Sequence, residues 1–132
     1  NNAFSVVDAV SVAIADDSAE TVTLGIRKLL DDHGIGKGKA KALVTIGRGK
    51  SELRQLMLPP VPENELPDMV RLQAMQTFAG IGDNTIVDFL PLPSAEDTTS
   101  VLAAAVAPAT MKLVSSIIES AGLELERVAL RP

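Results

Sequence analysis

The residues whose types and spacing could do chemistry are few. Gly49-Lys50-Ser51, after the apolar run ALVTIG (42–47), invites a phosphate-binding reading. That loop needs glycine five positions before the Gly-Lys pair, so that its amides can wrap a phosphate, and Val44 stands there. Ser51–Leu58 would have to be the phosphate-binding helix, yet Pro59-Pro60 stops it after about two turns. Thr85-Ile86-Val87-Asp88 could pass for an acidic, magnesium-holding strand, but strands ending in aspartate are common. The triplet is therefore read as a hairpin turn. Gly34-x-Gly-x-Gly lacks the preceding strand and the later glycine of a dinucleotide site, and reads as flexible linker. His33 is the sole histidine and there is no cysteine. This excludes disulfides, zinc-thiolate and His-rich metal sites, iron–sulfur clusters and thiol nucleophiles, and leaves hydrolysis without a nucleophile, base and metal set. His33 is placed to meet a helix dipole or solvent, and Asp16-Asp17 and Asp31-Asp32 read as a cap and a solvated helix end.

Charge is uneven. Arg27–Arg54 holds eight basic and three acidic residues, +5 in a chain of net −5, so the remainder carries about −10. The basic stretch Lys37–Arg54 supports an alternative function, a small nucleotide- or nucleic-acid-binding domain steered by charge. Against nucleic acid, the chain has no Trp or Tyr and no Phe among those basic residues, so stacking platforms are missing. Lysines at loops and strand edges also serve solubility and discourage edge pairing.

The elements that must position these residues follow from patterning. Phe4–Ala15, rich in Val and Ile, predicts a strand, and Asp16-Asp17-Ser18 a turn and cap. Val22, Ile26, Leu29 and Leu30 give one buried helical face over Thr21–His33, ended by Gly34. ALVTIG is a strand and Ser51–Leu58 its hairpin partner, closed by Pro59, Pro60 and Pro62. A helix follows over Glu63–Phe78, with Pro67 in its first turn and Leu66, Met69, Val70, Ala74 and Phe78 on one face. Gly80–Asn84 is a turn, Thr85–Leu90 a strand, and Ser100–Ala107 a small-residue strand central enough to be covered on both faces. A helix over Pro108–Ala121, Gly122, and a strand over Leu123–Leu130 complete the order β-α-β-β-α-β-β-α-β. That is an α/β (α+β) sandwich, a mixed sheet with helices.

The 132 residues make one domain's worth of chain, and 46% hydrophobic residues with a mean hydropathy of +0.24 exclude wholesale disorder. Phe4, Phe78 and Phe89 are the only aromatics, so the core is aliphatic. No apolar run approaches the roughly 20 residues that span a bilayer, and the first residues lack a signal-peptide pattern. Running from Asn1 to Pro132, the chain reads as a piece of something longer.

Two segments, in order, resemble a family. LMLPPVPENELPDMVRLQAMQTF (56–78) looks like the PilM-type actin-like proteins of type IV pilus assembly: a strand ending Leu-Pro-Pro, a short loop, then Glu-Leu starting a helix. VLAAAVAPATMKLVSSIIESAGLELERVAL (101–130) looks like the family's following unit, a Val/Ala strand, a helix closing in Ala-Gly-Leu, and a strand. The resemblance covers roughly Thr21–Leu130. It departs after the second helix, where the family has an aromatic residue or Ile before Pro and this chain has Phe78-Ala79-Gly80.

The resemblance implies that the chain is the subdomain inserted in the first actin lobe of such a protein. The cell-division actin homologue and the type II secretion cytoplasmic protein share it. Residues 1–20 would be flanking strand and turn from the parent lobe and 21–132 a single α/β subdomain. It implies a non-catalytic interaction module with no cofactor of its own, ATP and magnesium belonging to other parts of the parent. The implied partner is the cytoplasmic tail of a bitopic pilus or secretion inner-membrane protein, with self-association of the subdomain as well. The implied location is cytoplasmic, peripheral to the inner membrane. For tail contact the residues themselves suggest the corner Leu58-Pro59-Pro60-Val61, because a proline-stiffened apolar loop loses little entropy on binding.

Overall fold

A computed structural model describes residues 3–35 and 40–131. The elements are α1 (Ala19–Asp32), β1 (Lys41–Ile46), a 3-10 turn (Arg48–Lys50), β2 (Glu52–Leu58), α2 (Leu66–Thr77), β3 (Ile86–Leu92), β4 (Thr99–Val106), α3 (Pro108–Ser120) and β5 (Glu124–Leu130). The fold is α+β, and the described residues form three helices and two sheets, of order β1-β5 and β2-β4-β3. The chain divides into two compact units, one from Asn1–Val44 and Leu113–Arg127, the other from Thr45–Lys112 and Val128–Pro132.

In the second unit, β4 lies between β2 and β3, antiparallel to both, which bears out its expected central position. Register sets the two faces. Leu56 opposes Val101, Phe89 opposes Ala103 and Val87 opposes Ala105, and this face packs under α2. Val70 and Ala74 of α2, and Val101 and Ala103 of β4, are fully buried. The alanines of β4 present so little bulk that α2 can approach the sheet closely. Each fully buried valine or leucine contributes about 1.5–3 kcal/mol. Pro67 sits in the first turn of α2, where its missing N–H costs nothing. Helix α2 starts at Leu66, three residues later than expected, because Pro62–Glu65 is spent on turns closed by Glu65 N–H to Pro62 and Leu66 N–H to Glu63.

In the first unit, the Ser18 side chain caps α1 by accepting from the Thr21 amide, as expected, and Gly34 adopts φ +63° just past its end. Hydrogen bonds from Ser18, side chain and backbone, and from Thr21 lower the Asp16 carboxyl below its ordinary range. Arg27 donates through Nε to the Ser120 carbonyl at 2.8 Å, tying α1 to the end of α3. In α3, Ile118 is buried, as is Ala121 just beyond the helix, while Leu113 is 40% exposed.

Four expectations are corrected. Phe4–Ala15 forms no strand; it has no regular secondary structure and is mostly exposed, because a β-prone run becomes a strand only where a ladder partner lies alongside. Leu56 and its neighbours in β2 pair with β4, so the 48–50 turn links two sheets rather than closing a hairpin with β1. The strands form two sheets rather than one. β1–β5 is parallel, its terminal bonds rising together from Glu124 N–H to Ala40 and from Arg131 N–H to Ile46, while β2-β4-β3 is antiparallel. The expected buried face of α1 is only half-buried, with no residue of the helix fully covered.

Candidate functional site

The corner between β2 and α2 is built by the core on both sides of it. Leu58 ends β2 opposite Thr99 with only 2% of its surface exposed, and Val61 packs half-buried against the same cluster. Pro59 and Pro60 between them are exposed. The four residues therefore separate into two anchors and two displayed prolines, with backbone angles φ held by the rings.

The sheet face away from α2 carries what sequence reasoning missed. Leu53 (41% exposed) and Met57 (57%) of β2 and Ile86 (45%) and Leu90 (66%) of β3 share it, by register with Ala104, Ser100, Val106 and Leu102 of β4. Gln55 Nε2 donates to Ser100 Oγ at 2.9 Å across the same face. The signal was present: β2 (ELRQLML) and β3 (IVDFLPL) are apolar at both parities, which means either burial on both faces or one apolar face on display.

The glycine-lysine-serine triplet is a 3-10 turn leading straight into β2, with Ser51 already extended at φ −144° and ψ 152°. No helix follows it, so the amide cradle of a phosphate loop is not formed. Gly49–Glu52 does line one wall of an open cavity of about 560 Å³, opposite Gly80–Thr85. Arg71 fixes that opposite wall, donating to the Thr85 carbonyl at 3.2 Å and to that of Asp83, while Thr85 Oγ1 accepts from the Gly82 amide at 3.0 Å. The polar lining of the cavity is Lys50, Ser51, Glu52, Asp83, Thr85 and Thr110 with Asn84, and among the described residues no three potential metal ligands cluster.

The other candidates sit apart. His33 caps α1, its Nδ1 3.8 Å from an Asp8 carboxylate oxygen. Of the basic stretch, Lys37 and Lys39 lie outside the described residues. Lys41 pairs with Glu126 at 3.3 Å, an exposed pair worth little, and the Arg54 guanidinium lies 6.0 Å from the centre of the Phe78 ring. Among the described residues, no helix is long and apolar enough to cross a membrane.

Among solved structures, the chain is similar to one described as the PilM-PilN type IV pilus biogenesis complex, at 21% identity and a TM-score of 0.73, over 86% of this chain and 34% of that one. It is also similar to the cytoplasmic domain of EpsL, an inner membrane component of the type II secretion system of Vibrio cholerae, at 14% identity and a TM-score of 0.58, over 83% of this chain and 45% of that one. The likeness shows a shared fold. The chain spans about a third of the first structure's length and under half of the second's. No protein-family model and no curated protein matches the sequence.

Proposed function

We infer that the chain is a non-catalytic protein-interaction subdomain of a larger PilM-like actin-like protein, which scaffolds type IV pilus or secretion machinery on the cytoplasmic side of the inner membrane. In this reading, residues 1–20 flank a subdomain over 21–132, ATP and magnesium belong to the parent, and the subdomain docks the cytoplasmic tail of a bitopic membrane protein. The observation that carries it is the corner at the end of β2, where exposed Pro59 and Pro60 are held between core-anchored Leu58 and Val61. Such a loop is ordered before it binds, so contact costs little further entropy. The exposed Leu53, Met57, Ile86 and Leu90 on the same sheet add an apolar surface of the kind that protein partners cover.

The test is calorimetric titration of the chain with the cytoplasmic tail peptide of a PilN-type protein. Replacing both Pro59 and Pro60 by Ser should weaken binding roughly four- to thirtyfold, the sum of two lost proline restraints of about 0.4–1 kcal/mol each. Unchanged affinity in that variant would remove the corner from the interface. Failure of the unaltered chain to bind any such tail would remove the recruiting role itself.

A further inference from the structure

The three-stranded sheet has the composition of one covered on both faces and is covered on one. From Val101 to Val106 its central strand is apolar at both parities, and β2 and β3 carry large apolar residues on either side as well, the pattern of strands that lie between two layers. Helix α2 supplies one layer, through Leu66, Val70 and Ala74 at i, i+4 and i+8. On the other face Leu53, Met57, Ile86 and Leu90 stand 41–66% exposed.

The uncovered face also specifies its occupant. Asp88 is exposed on it, in register with Ala104, and is the one charged residue that the three strands place there. Its Oδ1 accepts from the Phe89 amide at 2.8 Å, and among the described residues no cation pairs with it. A partner that covered this face with apolar groups alone would strip water from a lone carboxylate, a cost that a facing cation offsets. Length points to a helix. From Leu53 to Met57 the face runs roughly 13 Å, the reach of about nine helical residues, which is the span that α2 uses from Leu66 to Ala74 on the opposite side.

We propose that the uncovered face of the β2-β4-β3 sheet docks an amphipathic helix of a partner protein, which lays apolar side chains at i, i+4 and i+8 over the exposed leucines and turns an arginine or lysine toward Asp88. The docked helix completes a helix-sheet-helix sandwich in which α2 is the other layer. The proposal rests on the reading of the chain as an interaction module, but it uses neither the tail nor the corner at Leu58–Val61.

Amide NMR titration of the nitrogen-15-labelled 132-residue chain with a synthetic helical peptide tests it. The peptide carries leucines at i, i+4 and i+8, one arginine beside them and neutral polar residues elsewhere. Shifts should centre on Leu53, Met57, Leu90 and Leu102, and a second peptide with glutamate in place of the arginine should bind about tenfold more weakly. Asp88→Arg should reverse that preference and make the glutamate peptide the tighter ligand, a gain that an unfolded variant cannot produce. Leu90→Gln should weaken both peptides alike. The chain with Pro59 and Pro60 replaced by Ser should bind the helix as the unaltered chain does. Loss of tail binding with helix binding retained would therefore remove the corner alone, and the reverse would remove this face alone. No binding of the arginine peptide, equal affinity for the two peptides, a preference that Asp88→Arg leaves unreversed, or shifts centred off this face would each overturn the proposal. So would concentration-dependent shifts of the same residues without peptide, which would give the face to a second copy.

Discussion

The side chain of Leu58 and the rings of Pro59 and Pro60 are neighbours in sequence with opposite duties. Leu58, 2% exposed, holds the end of β2 in the core, so Leu58→Ala should cost about 2–5 kcal/mol by leaving a cavity. Pro60→Ala, at an exposed position, should cost no more than about 1 kcal/mol, arising from the freer unfolded chain. Urea denaturation of the two variants checks both numbers, and near-equal losses would mean that the corner is not divided into anchor and display. This division was not legible in the sequence: the apolar character of LPPV was plain, but which side chains turn inward depends on the strand's phase, and Leu56 and Leu58 fix that phase only once β4 is known to be the partner. Recruitment by the corner therefore has to be probed through the prolines. A leucine variant that failed to bind would report on folding.

At the scale of elements, most of the fold was written in the sequence. The helices and strands among the described residues fall close to where periodicity and punctuation place them, because Ser18, Pro67 and the glycines at 34 and 122, with φ +63° and +81°, act locally. Strand partners were not legible, since pairing is a long-range choice: β2 takes the alanine-rich β4, and Phe4–Ala15 takes no partner among the described strands. That arm is nonetheless positioned. Val12 and Ile14 lie over Gly25 of α1, where an added Cβ would stand 3.0 Å from Ile14 Cγ2 and 3.5 Å from Val12 Cγ1. Glycine inside a helix costs roughly 0.5–1 kcal/mol relative to alanine, so its use here trades helix propensity for a close approach of the arm. Gly25→Ala should accordingly leave overall stability within about 1 kcal/mol while loosening the arm, because the helical gain is offset by displacing Ile14. The nitrogen-15 heteronuclear Overhauser effect at residues 12–14 should then fall with little change in α1. An unchanged value in the arm would mean that Ile14 gives way without losing its seat.

For the molecule as a whole, the question the sequence raised most sharply is whether it handles phosphate. The glycine-lysine-serine turn opens into β2, and the strand before it belongs to a different sheet, so the two elements that would have to converge on a nucleotide do not form a strand-loop-helix unit. The net charge of −5 also works against a triphosphate approaching by general attraction. Titration of the 132-residue chain with Mg-ATP should therefore leave the backbone amide shifts of 47–51 unchanged, at concentrations where a phosphate-binding loop would saturate. Shifts centred on Gly47–Ser51 would reverse this conclusion, make the cavity between that turn and the Arg71-braced loop the working site, and replace an interaction module with a nucleotide-dependent one.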